Sequence, residues 1–437
     1  MSTEVSLFWF RRDLRLDDNA GLFYALKNEQ NVWPVFIFDK NILVHLDQDD
    51  QRVPFIHQTV TVLKESLQRK KTDLGVFYGD PLDVFQNISR KVKIKAIYTN
   101  HDYEPLAILR DRAVEKWAHT QKIQFHTYKD QALFEKNEIF SDMKKSYTVY
   151  TPYKKKWLST VNAFYLKSYP NDLYEHNYLR QLAKVDQTVV PALDQMGFHS
   201  PQVVYPPTEV ESKILKKYAE LRDFPALDQT SKLGLHLRFG TVSVRELARE
   251  GQKHSDVWLS ELIWRDFFMQ ILWHYPHVVK QSFRKEYDNI AWRDSKSDFE
   301  RWCQGQTGYP LVDAGMRELN QTGHMHNRVR MVVASFLAKH LLIHWSYGER
   351  YFAKKLLDYD LSANNGNWQW AAGTGCDAAP YFRVFNPTAQ LEKFDPDLKY
   401  IKKWVPEYGT FQYIKPMVDH TFARDRALTE YKKGLGK

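Results

Sequence analysis

The chain has 437 residues, 43% of them hydrophobic and 26% charged, and a net charge of +9. That length allows two or three domains with sizeable cores. No apolar run reaches the roughly 18 residues of a membrane span, Met1–Phe10 lacks the basic-then-apolar order of a secretory signal, and two cysteines cannot build a disulfide framework.

These features fit a cytoplasmic globular protein. The basic surplus favours a polyanion, nucleic acid first, and the 15% of aromatic residues adds flat rings beside the cations.

The first 130 residues alternate short apolar runs with amphipathic stretches. Strands are expected at Ser6–Phe10, Val32–Phe38, Gly75–Tyr78, Ala96–Thr99 and Gln124–Tyr128, with helices between them, notably Pro54–Arg69 and Pro105–Ala118. This alternation predicts an α/β, Rossmann-like domain over 1–130: a parallel sheet with helices on both faces. Its only glycines are Gly21, Gly75 and Gly79, so it has no Gly-x-Gly-x-x-Gly turn for a dinucleotide pyrophosphate. Residues 131–205 show no sustained period and read as a connection between domains with short helices. From 206 to 437 strand signals vanish and helical periodicity dominates. Nine of the thirteen tryptophans fall within Trp258–Trp404 of this larger all-helical domain.

Within it, Asp358-Tyr-Asp-Leu-Ser-Ala-Asn-Asn-Gly-Asn-Trp-Gln-Trp370 mixes Asp358, Asp360, Asn364 and Asn365 with two indoles and runs straight into alanines. Buried polar groups need partners, so something polar and flat is expected inside this domain. On a helix, Trp368 and Trp370 stand roughly 200° apart and face different neighbours. Upstream, Thr230-Ser-Lys-Leu-Gly-Leu-His offers hydroxyls and amides where a helix would begin. That is either an anion site or an ordinary Ser/Thr cap.

Phe8-Trp-Phe-Arg-Arg-Asp-Leu-Arg-Leu-Asp-Asp-Asn, Tyr150-Thr-Pro-Tyr, Glu261-Leu-Ile-Trp-Arg-Asp-Phe, Gly308-Tyr-Pro-Leu-Val-Asp-Ala-Gly-Met, Gly323-His-Met-His-Asn-Arg-Val-Arg-Met331 and Tyr381-Phe-Arg-Val-Phe-Asn-Pro follow in order along nearly the whole chain. With the Asp358–Trp370 run, they resemble the DNA photolyase and cryptochrome family. The resemblance implies a folded FAD in the helical domain, reduced (FADH⁻) in the active form. Its pyrophosphate would lie on Thr230, Ser231, Lys232, Leu233 and Gly234, with Tyr218 shortly before. The family usually has serine where Gly234 stands, so one phosphate hydroxyl is missing. Trp258, Arg265, Asn327, Arg330, Asp358, Tyr359 and Asp360 would complete the cofactor site, with Arg330 and Asp358 an ion pair beside the ring. Asn364 falls where the flavin N5 is faced. A neutral amide there does not readily protonate N5, which favours full reduction over a signalling form.

Trp368, Trp345 and Trp292 match the family's photoreduction chain from flavin to surface. Glu261, Trp264, Met331 and Trp370 match its lesion cavity, where two indoles sandwich a flipped pyrimidine pair and Glu261 meets its edge. Arg222, Arg328 and Arg383 resemble its phosphate contacts, which position DNA without reading sequence; Asn327 lies beside them. Enzymes that repair (6-4) lesions carry histidines where Asn327, Arg328 and Met331 stand. The resemblance is therefore closest to class I cyclobutane pyrimidine dimer photolyases, monomeric lyases acting on DNA.

The alternatives are a cryptochrome-like photoreceptor signalling through a partner and a (6-4) photolyase. Receptors usually carry a long C-terminal extension, whereas this chain ends thirty residues past Glu407. Tyr103-Glu104 is followed by Pro-Leu-Ala-Ile and not by the Asn-Glu pair of folate binders. A deazaflavin, a second flavin, or no antenna chromophore at all is then expected. His340 with His344, and His324 with His326, lack accompanying acidic or cysteine motifs, so no metal site is expected.

Overall fold

The computed structural model describes residues 4–180, 188–201 and 203–437. The chain forms two compact units: residues 1–135, 160–208 and 233–253 make the first, and residues 136–159, 209–232 and 254–437 the second.

The first unit is built on five parallel strands, β1 (Glu4–Phe10), β2 (Val32–Asp39), β3 (Gly75–Gly79), β4 (Lys93–Asn100) and β5 (Gln124–Tyr128), in the order β3-β2-β1-β4-β5. Phe8 of β1 lies opposite Pro34 of β2 and Tyr98 of β4. From Val5 to Phe10 every residue of β1 is buried, as is all of β2. A parallel strand covered on both faces is apolar throughout rather than alternating. Helices Arg52–Arg69 and Pro105–Thr120 occupy the stretches where helical periodicity places them. Edge strand β5 buries none of its residues fully.

The expected 131–205 connection divides between the units. Residues 136–159 belong to the helical unit: Tyr153 and Trp157 of the Tyr150–Thr160 helix are buried, and the Trp157 indole donates to Asp266 over 3.0 Å. Residues 160–208 belong to the sheet unit, where Leu179 N–H donates to Val32 O over 2.9 Å. Residues 233–253, inside the expected helical domain, also join the sheet unit. Buried Arg245 reaches Asp18 and Asp130 at 2.8 Å each, and Arg15 reaches Asp130 at 2.7 Å. Burial alone would raise the Asp130 carboxyl, but the two guanidiniums hold it below its ordinary range.

The described part of the second unit contains helices and no strand. Its core gathers Met316, Val333, Leu337, Trp302, Trp345 and Trp368. Two glycines permit close helix approaches. A Cβ at Gly366 would overlap the Phe268 ring, and one at Gly348 would overlap Trp368. These contacts seat the Leu361–Ala372 helix between its neighbours Asp256–His274 and Trp345–Lys355.

Candidate functional site

The polar run singled out in the sequence becomes the start of the Leu361–Ala372 helix. Asp360 is its N-cap, accepting from the backbone N–H of Ser362 (3.1 Å) and Ala363 (3.2 Å). A carboxylate suits that end of the helix dipole. Asp358 accepts from Arg330 over 2.9 Å, and Arg330 Nε donates to Met325 O over 2.7 Å, so the guanidinium is held from two sides. Burial would raise the Asp358 carboxyl, yet Arg330 outweighs it and the pKa lies below the usual carboxylate range. Its other oxygen, Oδ1, is buried without a hydrogen-bond partner.

These residues open onto a cleft within the helical unit. Asn327, Arg330, Met331, Asp358, Tyr359, Asp360, Asn364, Trp368 and Trp370 line it, with Ala334, Phe352 and Leu356 as apolar wall. Counting the part open to solvent, the space is about 590 Å³. A flat heteroaromatic ring with N–H and C=O groups in one plane fits this donor set, and the orphaned Asp358 Oδ1 asks for such a donor. The two indoles share this cleft, although Trp368 is buried and Trp370 half-buried.

Asn364 donates to Glu349 twice, to its backbone carbonyl (3.1 Å) and its carboxylate Oε1 (2.9 Å). Burial pushes the Glu349 carboxyl up, while the Asn364 hydrogen bond works the other way. Glu349 went unnoticed in the sequence because nothing local ties it to Asn364, fifteen residues later.

Glu261 and Trp264 share a face of the neighbouring Asp256–His274 helix. Glu261 pairs with Arg222, whose guanidinium lies 5.7 Å from the Tyr218 ring centre. Burial raises the Glu261 carboxyl and Arg222 opposes it. Arg328 pairs with Asp223 at 2.9 Å and lies over Phe394 at 4.3 Å. Trp264 is stacked by Tyr150, ring centres 3.5 Å apart and planes 5° from parallel. Arg383 is exposed, and its carbonyl accepts from the buried Lys339 ammonium over 2.7 Å.

Trp368 meets Phe352 edge-on at 5.0 Å and Trp302 at 6.1 Å. Trp345 is fully buried in the same core, and half-buried Trp292 packs against that core. His344 lies between the latter two, 5.4 Å from Trp345 and 5.2 Å from Trp292. His340 pairs with His420 at 2.8 Å, and the His344 ring caps its own helix.

Of the expected phosphate segment, Thr230, Ser231 and Lys232 belong to the helical unit and are half-buried. Lys232, in the left-handed region at φ 51°, helps depress the neighbouring His324, itself influenced by Asp358. Leu233 and Gly234 belong to the sheet unit, where the Gly234–Phe239 helix starts without a side-chain cap. Trp258 is buried near the start of its helix, and Arg265 is half-buried on that helix.

Two family models match the chain: DNA photolyase over residues 6–172, and the FAD binding domain of DNA photolyase over residues 258–412. A deoxyribodipyrimidine photo-lyase of Halobacterium salinarum is 34% identical over 99% of this chain and 100% of its own length. Among solved structures, an archaeal photolyase from Sulfolobus tokodaii with two FAD molecules is 34% identical, with a TM-score of 0.82 over 99% of this chain and 100% of that one. A Synechocystis cryptochrome is 27% identical, with a TM-score of 0.87 over 98% of this chain and 99% of that one. The chain belongs to the DNA photolyase family. Photolyases and a cryptochrome share its backbone, so the fold alone does not separate their activities.

Proposed function

We infer that the protein is a deoxyribodipyrimidine photo-lyase: it repairs cyclobutane pyrimidine dimers in DNA using light and FAD. The observation that carries this reading is the Arg330–Asp358 pair, with its orphaned carboxylate oxygen, in a cleft shared with Met331, Trp368 and Trp370. When bound and reduced, the flavin supplies a photoexcited electron to the dimer and takes it back, so no reductant is consumed.

The protein's part is to bind and orient. Arg330, fixed by Asp358, favours a reduced, negatively charged ring. Both amide hydrogens of Asn364 are committed to Glu349, so this side chain offers N5 only an acceptor oxygen. That suits an N5 already carrying its hydrogen. Tyr359, Asp360, Asn327, Trp258 and Arg265 complete the ring and adenine surroundings, while Tyr218 and residues 230–234 serve the phosphates.

Trp264 and Trp370 stack on the flipped dimer, Met331 packs beside it, and Glu261 meets a pyrimidine edge. Excluding water there lets the C5–C5 and C6–C6 bonds of the dimer break without side reactions. Arg222, Arg328 and Arg383 hold flanking phosphates, with Asn327 near them. Trp368, Trp345 and Trp292 would relay electrons from a reductant in solution to a flavin that had become oxidised.

No described helix is long and apolar enough to cross a membrane. Two unpaired cysteines support a cytoplasmic setting.

An antenna of flavin or deazaflavin type is favoured over folate. Glu104 is already engaged by Arg12 at 2.9 Å and by Arg238, and the second FAD of the Sulfolobus tokodaii relative supports a flavin. Chromophores released on denaturation would identify it.

Illumination of the reduced holoprotein with two oligonucleotides, one carrying a cyclobutane dimer and one a (6-4) photoproduct, tests the reading. Repair of the first alone is expected. Repair of the second, or of neither, overturns it.

A further inference from the structure

Tyr150 opens the Tyr150–Thr160 helix, and its ring lies face to face on Trp264 at 3.5 Å and 5°. Three further contacts fix that ring within the helical unit. Its hydroxyl donates to Ser260 O over 2.8 Å, one turn before Trp264 on the same helix. Its backbone N–H donates to Asp377 Oδ2 over 3.0 Å. Its edge meets Phe267 at 5.8 Å and 76°. Asp377 sits in the left-handed region at φ 42°, six residues before exposed Arg383.

An indole on a helix surface can rotate about χ1 and χ2. A parallel ring in van der Waals contact, itself held at both ends, removes that freedom. Phe267 meets Trp264 edge-on at 80°, and Phe268 lies 5.5 Å away at 25°. Trp264 nevertheless remains half-buried.

We propose that Tyr150 is a positioning residue for lesion recognition: it backs Trp264 in a parallel stack and fixes the indole plane against which a pyrimidine dimer is laid. Through Asp377 the same residue ties this plane to the segment carrying Arg383. The proposal rests on the reading of Trp264 as a lesion-stacking residue.

The contribution is one of preorganisation. Without Tyr150, the indole samples other rotamers, and dimer binding bears the cost of ordering it. An aromatic pair of this kind is worth about two- to tenfold in an equilibrium constant.

The test uses the flavin-loaded protein and measures Kd for a dimer-containing oligonucleotide and for its undamaged counterpart. Tyr150→Leu is expected to weaken dimer binding by about two- to tenfold, leaving undamaged binding and bound flavin per chain unchanged. Tyr150→Phe, which keeps the ring and loses only the bond to Ser260, restores dimer affinity. Equal weakening on both DNAs, or no rescue by phenylalanine, would reduce Tyr150 to a structural role and overturn the proposal. Tighter dimer binding by Tyr150→Leu would show the ring occupying the lesion's place, which also overturns it. Trp264→Leu separates the two readings: if it leaves dimer discrimination intact, the lesion-stacking assignment itself has failed.

Discussion

The Asn364 amide is held by Glu349 through two hydrogen bonds, at 3.1 Å to its carbonyl and 2.9 Å to its carboxylate. Two helices thus fix the orientation of one amide on the wall of the cleft shared by Asp358 and Trp370. Glu349→Gln keeps an acceptor oxygen and removes a buried carboxyl, so its melting temperature should equal or exceed that of the parent. Glu349→Leu leaves a buried N–H unpaired and should cost about 1–3 kcal/mol. Denaturant unfolding of the two variants compares them, and equal stability would deny the bond its role.

Acid should destabilise the protein from pH 6.5 downward. Burial, with neighbouring guanidiniums, depresses both His324 and His326 to about 4. In the unfolded chain they take up protons near 6.5. Between these values the unfolded state binds more protons, so stability is full above 6.5 and is lost as pH falls toward 4. His326 also caps its helix by accepting from Arg328 N–H at 3.2 Å. His326→Asn retains a good cap and should flatten the profile of melting temperature against pH. An unchanged slope would contradict the assignment.

The Arg330–Asp358 pair behaves differently. Because the Asp358 carboxyl is depressed below 3.8, its stabilisation is full above that value and is lost only as pH falls through its lower folded pKa. Flavin retention should therefore be indifferent to this pair from pH 5 to 8. Asp358→Asn should release flavin across that whole range, as filtration and absorbance would report.

Gly348 and Trp368 approach so closely that an added methyl group overlaps the indole. Gly348→Ala should cost about 1–3 kcal/mol through overpacking and slow photoreduction by displacing Trp368. Trp368→Phe should slow photoreduction of oxidised flavin by about tenfold, an added barrier of about 1.4 kcal/mol. Chemically reduced Trp368→Phe enzyme should still repair. Transient absorption under a defined flash separates the two effects, and equal photoreduction in the phenylalanine variant would remove Trp368 from the chain.

Strands β1 and β2 were legible because a doubly covered parallel strand is a continuous apolar run, as in Val32–Asp39. The helical half was legible from its period, and a polar cleft from the improbable mixture around Asp358. The assignments of residues 136–159 to the helical unit and 233–253 to the sheet unit were hidden. Trp157 bonding Asp266 and Arg245 bonding Asp130 join residues more than 100 positions apart, and no local period encodes such pairings. Glu349 and Tyr150 were obscured likewise: each acts through one distant partner, Asn364 or Trp264, and looks ordinary in its own segment.

Light-driven repair is measured by counting thymine dimers in an irradiated oligonucleotide incubated with the reduced holoprotein, in blue light and in darkness, with the flavin spectrum recorded throughout. Many dimers should be reversed per protein in light and none in darkness, with the flavin spectrum unchanged at the end. Dimers that persist in light, or one flavin oxidised for each dimer lost, would contradict it.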